Sequence, residues 1–172
     1  MSIANHDQRL LEAIKTEFQT GLATALADID TDGGPTLAAP AAADFEVLDD
    51  LDRVKRYPHC GFTVSSPENI TWQTHQRDSN PTVKIAVTIA PTHDKAEQSD
   101  SDARYYARAI EATLTRLWIA GTLWGPSYFD AGEGLWNVEI DEVDQEQVGE
   151  DRNRRRGFVL ARLWSRTSQE TS

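Results

Sequence analysis

Three carboxylates at alternate positions, Asp28, Asp30 and Asp32, stand before two glycines in the run DIDTDGG. This spacing resembles the opening of a calcium loop, where alternate side chains supply oxygen ligands. The later positions do not continue the pattern. The twelfth residue, where such a loop needs a bidentate Glu, is Ala39, and Pro35 falls where an apolar β-branched residue is expected. The run predicts the solvated end of a helix, with Gly33 and Gly34 releasing the chain into a loop.

The four histidines, His6, His59, His75 and His93, and the single cysteine, Cys60, are the other residues with ligand or nucleophile chemistry. A zinc site wants close pairs two to four residues apart plus a distant second pair, and that spacing is absent. Cys60 with His75 as base would make a thiol nucleophile, but a lone Cys at a strand start reads first as a small buried apolar residue. No phosphate-cradling glycine loop, nucleophile elbow or dinucleotide fingerprint occurs, so no cofactor is implied.

The sharpest charged feature is Arg152, Arg154, Arg155 and Arg156. It reads as the solvated tip of a hairpin, or as a docking arm. An acidic patch, Asp44, Glu46, Asp49, Asp50 and Asp52, gives such an arm a target on a neighbouring copy. The expected subunit or partner contacts are therefore Arg152, Arg154, Arg155, Arg156, Asp49, Asp50 and Asp52. A head-to-tail contact of this kind closes into a ring when the rotation permits.

The bulk numbers frame these residues. At 172 residues one domain, 1–172, is expected, with Trp, Phe and Tyr enough for one core. The net charge of −11 argues against binding the phosphate backbone of nucleic acid on an open surface. One cysteine excludes an internal disulfide, and the first thirty residues lack the pattern of a signal peptide, which predicts synthesis in a reducing cytoplasm. The longest nearly apolar run, 117–124, is far shorter than the roughly 20 residues that cross a bilayer.

Elements must position these groups. Leu10, Ile14, Phe18, Leu22 and Leu26 recur every fourth residue, which predicts an amphipathic helix from Asn5, its cap, to about Asp28. Two Gly, two Pro and small residues predict a flexible loop at 30–44. Strands are predicted over Cys60–Ser65, Ile70–His75 and Thr82–Ala90. In the last, Val83, Ile85, Val87 and Ile89 face one way, so half the strand is buried. A second helix is predicted from Asp100 to Ala120, capped by Ser99 or Asp100 and ended by Gly121. Leu135–Val143 and Phe158–Ser165 predict a closing hairpin with an extended charged tip at 144–157, and the last residues read as frayed. The order implies an α+β fold, a mostly antiparallel sheet with two main helices on one face.

This layout resembles the tail terminator (head-tail joining, neck) proteins of tailed bacteriophages and tailed archaeal viruses. The resemblance is carried by the long first helix, the segments RYPHCGFTV and VKIAVTIAPTHDK, the Tyr-bearing helix DSDARYYARAIEATLTRL and the closing hairpin. It implies a structural virion protein and not an enzyme. Such a protein is assembled in the host cytoplasm as a homohexameric ring that caps the tail tube, stops its growth and joins the tail to the head connector. The implied partners are further copies of the chain, the tail tube protein and a head connector or stopper protein, with genomic DNA passing through the lumen unbound and no membrane involved. The loop at 30–44 and the charged hairpin tip depart from the family's pattern. Rival readings are another connector component, an adaptor or stopper, or a small cytoplasmic α+β enzyme using Cys60. Adaptors tend to be mostly helical and stoppers mostly β, so the mixed order favours the terminator.

Overall fold

A computed structural model of the chain describes residues 6–53, 56–66, 70–73, 76–90 and 96–168. The first helix, α1, spans His6–Thr31 and buries Leu10, Leu11, Ile14, Phe18, Leu22 and Leu26, the stripe its spacing dictates. The capping role expected of Asn5 falls outside the described residues. The chain then passes over the core to β1 (Phe45–Val47), β2 (His59–Ser66), β3 (Ile70–Gln73), β4 (Gln76–Ser79) and β5 (Thr82–Thr88). Helix α2 (Ala96–Ile119) follows, and β6 (Gly134–Val148) and β7 (Asp151–Ser168) close the chain.

One seven-stranded sheet results, in the order β1-β2-β5-β7-β4-β3, with β6 along the other edge of β7. Among the described residues every pairing is antiparallel except β1 with β2. Strands β4 and β5 lie end to end against β7, opposite Ser165–Ser168 and Arg156–Arg162 respectively. Both helices pack on the same core, α1 through Phe18, whose ring meets Phe62 of β2 edge-on at 5.3 Å, and α2 through Ala103, Ile110 and Leu114. The fold is α+β, as the element order implies.

Two helix ends explain where glycine is required. At the end of α1 the Gly34 N–H bonds the Ile29 carbonyl (2.8 Å) and the Gly33 N–H bonds that of Asp30 (3.1 Å), with Gly33 at φ 90°. At the end of α2 the Thr122 N–H reaches Leu117 (3.2 Å) and the Gly121 N–H reaches Trp118 (3.0 Å), with Gly121 at φ 66°. Both are paired 6→1 and 5→2 bonds around a left-handed residue, which satisfies carbonyls the helix leaves open.

Several boundaries differ from expectation. Ser99 and Asp100 lie inside α2, because it starts at Ala96. The expected strand to His75 ends at Gln73, and His75 itself lies outside the described residues. The segment 32–44 is anchored: Leu37 and Ala39 pack on the core, Pro40 is buried, Tyr106 donates to the Ala38 carbonyl (2.6 Å) and Gln19 to that of Ala42 (3.1 Å). The outward face of β5 is covered too, since Ala86 packs with Leu51 and Phe158 in a second small cluster. Finally, 144–157 is almost entirely strand. Glu146 pairs with Arg156, Gln147 with Arg155 and Val148 with Asp151, leaving Gly149 and Glu150 as the whole turn.

Candidate functional site

Because β7 continues through the arginine run, successive side chains leave its two faces in turn. Arg155 points toward the start of α2, where its Nη1 lies 3.4 Å from Asp100 Oδ1 and donates to Gln145. Arg156 points the other way. Its Nε donates to Glu146 Oε1 (2.5 Å) and its Nη1 to Asp52 Oδ1 (2.9 Å). Lys84 Nζ donates to the same Glu146 oxygen (2.5 Å) and sits 4.4 Å from the centre of the Phe158 ring. The guanidinium of Arg154 lies 5.3 Å from the Tyr57 ring.

The chain Asp52–Arg156–Glu146–Lys84 thus roofs the apolar cluster of Leu51, Ala86 and Phe158. Only 12% of the Arg156 side chain is exposed. Burial alone would push the Glu146 carboxyl up, but the hydrogen bonds from Lys84 and Arg156, and their charge, hold it below the ordinary value. Arg155 and Arg156 are therefore not part of a solvated tip: Arg156 and Asp52 meet within one subunit. Asp50 accepts from the Asp52 N–H (2.9 Å) and lies 3.7 Å from Arg53, and Asp49 is exposed. The side chain of Arg152 lies outside the described part. Glu146, Lys84 and Asp100 belong to this constellation and were not singled out from sequence.

The other candidates have structural roles. Cys60 is fully buried between Phe45 of β1 and Val87 of β5, and desolvation pushes its thiol far up, the opposite of what a thiolate nucleophile needs. This burial weighs against the Cys60 enzyme reading; His75, its supposed base, and His93 lie outside the described residues. His59 is buried, with Nε2 2.7 Å from Glu46 Oε2, at the wall of an open cavity of about 450 Å³ that Asp44, Arg53 and Arg56 also line. His6 is buried in a hydroxyl relay: Nε2 is 3.0 Å from Ser165 Oγ, which is 3.0 Å from Ser79 Oγ, which donates to Asp7 (3.3 Å). This relay ties the start of α1 to β4 and β7, and His6, Ser79 and Ser165 are all buried. In DIDTDGG, Asp28 and Asp30 are helical and project about 200° apart. Asp28 accepts from Arg116 (2.7 Å).

One surface was not foreseen. Trp118 and Ile119, at the end of α2, and Trp136, at the start of β6, are 37%, 76% and 41% exposed. The Trp118 indole N–H donates to the Trp136 carbonyl (3.2 Å), and the Trp136 ring lies 5.7 Å from that of Trp164. The only sequence signal was four of five tryptophans within the last 55 residues.

No protein-family pattern and no curated protein sequence matches the chain. Among solved structures, it is similar to a chain of one described as the virion of a native gene transfer agent (GTA) particle. The two share 14% identity at a TM-score of 0.47, over 96% of this chain and 100% of the other.

Proposed function

We propose that the chain is a structural component of a phage-like virion and, within it, a tail terminator. Copies form a ring on the head-proximal end of the tail tube, stop its growth and join the tail to the head connector. The observation that supports this reading best is the layout. The segments that resemble the terminator family in sequence, two amphipathic helices, the alternating strand and the closing hairpin, build one sheet with both helices on one face.

The charge fits a conduit. Glu139, Asp141 and Glu142 are exposed along β6, and Asp49 and Asp50 are exposed in the turn after β1. Carboxylates lining a channel repel DNA phosphates, so a genome slides past without sticking. Arg156 and Asp52 stabilise the subunit, so of the acidic contacts expected at Asp49, Asp50 and Asp52 the exposed Asp49 is the one open to a neighbour. Electron microscopy and native mass spectrometry of the purified chain test the reading. Rings of about six subunits with an open channel are expected; a monomer at every concentration that the virion assembly reaches contradicts it.

A further inference from the structure

Strand β6 ends the sheet, and among the described residues no strand pairs with its outer edge. The first residues of the strand are taken up, since Gly134 bridges Trp124, the Leu135 N–H bonds the Leu123 carbonyl (2.9 Å) and the Trp136 carbonyl accepts from Trp118. Further along, the Gln145 N–H turns to Asp144 Oδ1 (2.8 Å). Beyond Trp136 the edge offers its other backbone N–H and C=O groups to a strand that fits. Three register shifts interrupt it, between Leu135 and Asn137, Ile140 and Glu142, and Gln147 and Val148. Exposed Glu139, Asp141 and Glu142 lie along it. Like charges directly opposite one another are unfavourable in a sheet, so two copies of this edge repel. A strand of opposite sign is attracted.

Beside the acidic stretch stands the apolar patch of Trp118, Ile119 and Trp136. Exposed tryptophans at the rim of a sheet are the side chains that anchor protein contacts; the bond to the Trp136 carbonyl holds the Trp118 indole in place beforehand, and the Trp136 ring lies against that of Trp164. Of the arginine run that a second copy would bring, Arg155 and Arg156 are occupied within their own subunit.

We propose that the β6 edge is a docking site for an extended segment of a partner protein that carries Lys or Arg at alternate positions. The segment adds a strand along 139–147, sets its cations against Glu139, Asp141 and Glu142, and seats an apolar residue on Trp118 and Trp136. Backbone pairing provides affinity, while charge and the tryptophan patch provide selection. The inference rests on the sheet edge alone and stands or falls separately from the virion reading.

Amide hydrogen exchange of the whole chain tests it, with capped peptides of about nine residues as probes. A peptide alternating Lys and Val is expected to slow exchange of the outward β6 amides at least about tenfold, saturably, while Lys/Pro and Glu/Val peptides do not. The double variant Glu139→Lys, Glu142→Lys should weaken that binding about tenfold or more. The variant Asp30→Lys, Asp32→Lys, with the same change of net charge at exposed positions on the end of α1, should not. Equal protection by the Lys/Pro or Glu/Val peptide, or equal loss in both variants, overturns the proposal. So does protection that grows with protein concentration without peptide, which would make a second copy the occupant. Should the β6 variant fail to fold, the three peptides on the natural chain still decide.

Discussion

Replacing Arg156 by Ser separates a solvated hairpin tip from a roofed one. The side chain is 12% exposed and makes two charge-assisted hydrogen bonds, to Glu146 at 2.5 Å and to Asp52 at 2.9 Å. The Glu146 bond lies over the Phe158 cluster and is worth about 1.5–3 kcal/mol, as for hydrogen bonds to charged groups. Asp52 is 56% exposed, so its share is that of a surface pair, about 0.2–1 kcal/mol. Lys84 still neutralises Glu146 in the variant, which keeps the total near the lower end, about 2–3 kcal/mol. For a chain of this length that lowers Tm by about 4–12 °C. Urea unfolding followed by tryptophan fluorescence measures the loss, and a double-mutant cycle with Glu146→Gln should return a coupling of about 1 kcal/mol or more. A loss under about 0.5 kcal/mol, as surface substitutions give, refutes the roofing argument.

Three further outcomes follow from the same geometry. A Cβ at Gly157 would stand 1.9 Å from the Ala103 carbonyl oxygen, so Gly157→Ala must push α2 off the sheet. It should cost about 3 kcal/mol or more in urea, and a neutral result contradicts the close approach. Glu146 and Glu133 are both held below their ordinary value of 4.5 in the folded chain. For Glu133, burial raises the carboxyl, but hydrogen bonds, the first from Ser168, and the charge of His6 outweigh it. A depressed carboxyl stabilises above its unfolded value and loses that contribution as pH falls through the folded one. Stability should therefore drop below about pH 4.5, and Glu146→Gln should flatten that limb; an unchanged acid limb refutes the pairing. Cys60 should resist a thiol reagent in the folded chain and react only at the global unfolding rate, whereas rapid labelling under native conditions contradicts its burial.

Helix α1 was legible because Leu10, Ile14, Phe18, Leu22 and Leu26 repeat at the helical period, and β5 because Val83, Ile85 and Val87 alternate. Both signals come from burial on one face, which the sequence must encode. Strand β4 was not legible: Gln76-Arg77-Asp78-Ser79 is polar throughout, yet Arg77 and Ser79 are buried and Asp78 takes a two-pronged bond from Arg166 (2.7 and 3.0 Å). Strand β1 is three residues within an acidic patch and gains its pairing from β2. The arginine run misled because its charge density suggests a solvated tip, while its register depends on an irregularity in the hairpin. Val148-Gly149-Glu150-Asp151 is a two-residue turn, and counting outward from it would set Arg156 opposite Val143; the register shift between Gln147 and Val148 instead brings Arg156 opposite Glu146, which counting alone does not reveal. Asp52 is 104 residues away, and no local pattern could have joined it to Arg156.

The claim that the chain terminates a tail is tested most directly by deleting its gene from the particle-producing genome and imaging the particles by electron microscopy. Tail tubes of irregular, excessive length and filled heads without tails are expected, with both defects restored by the natural chain. Particles whose tails keep their normal length and remain joined to heads would contradict it.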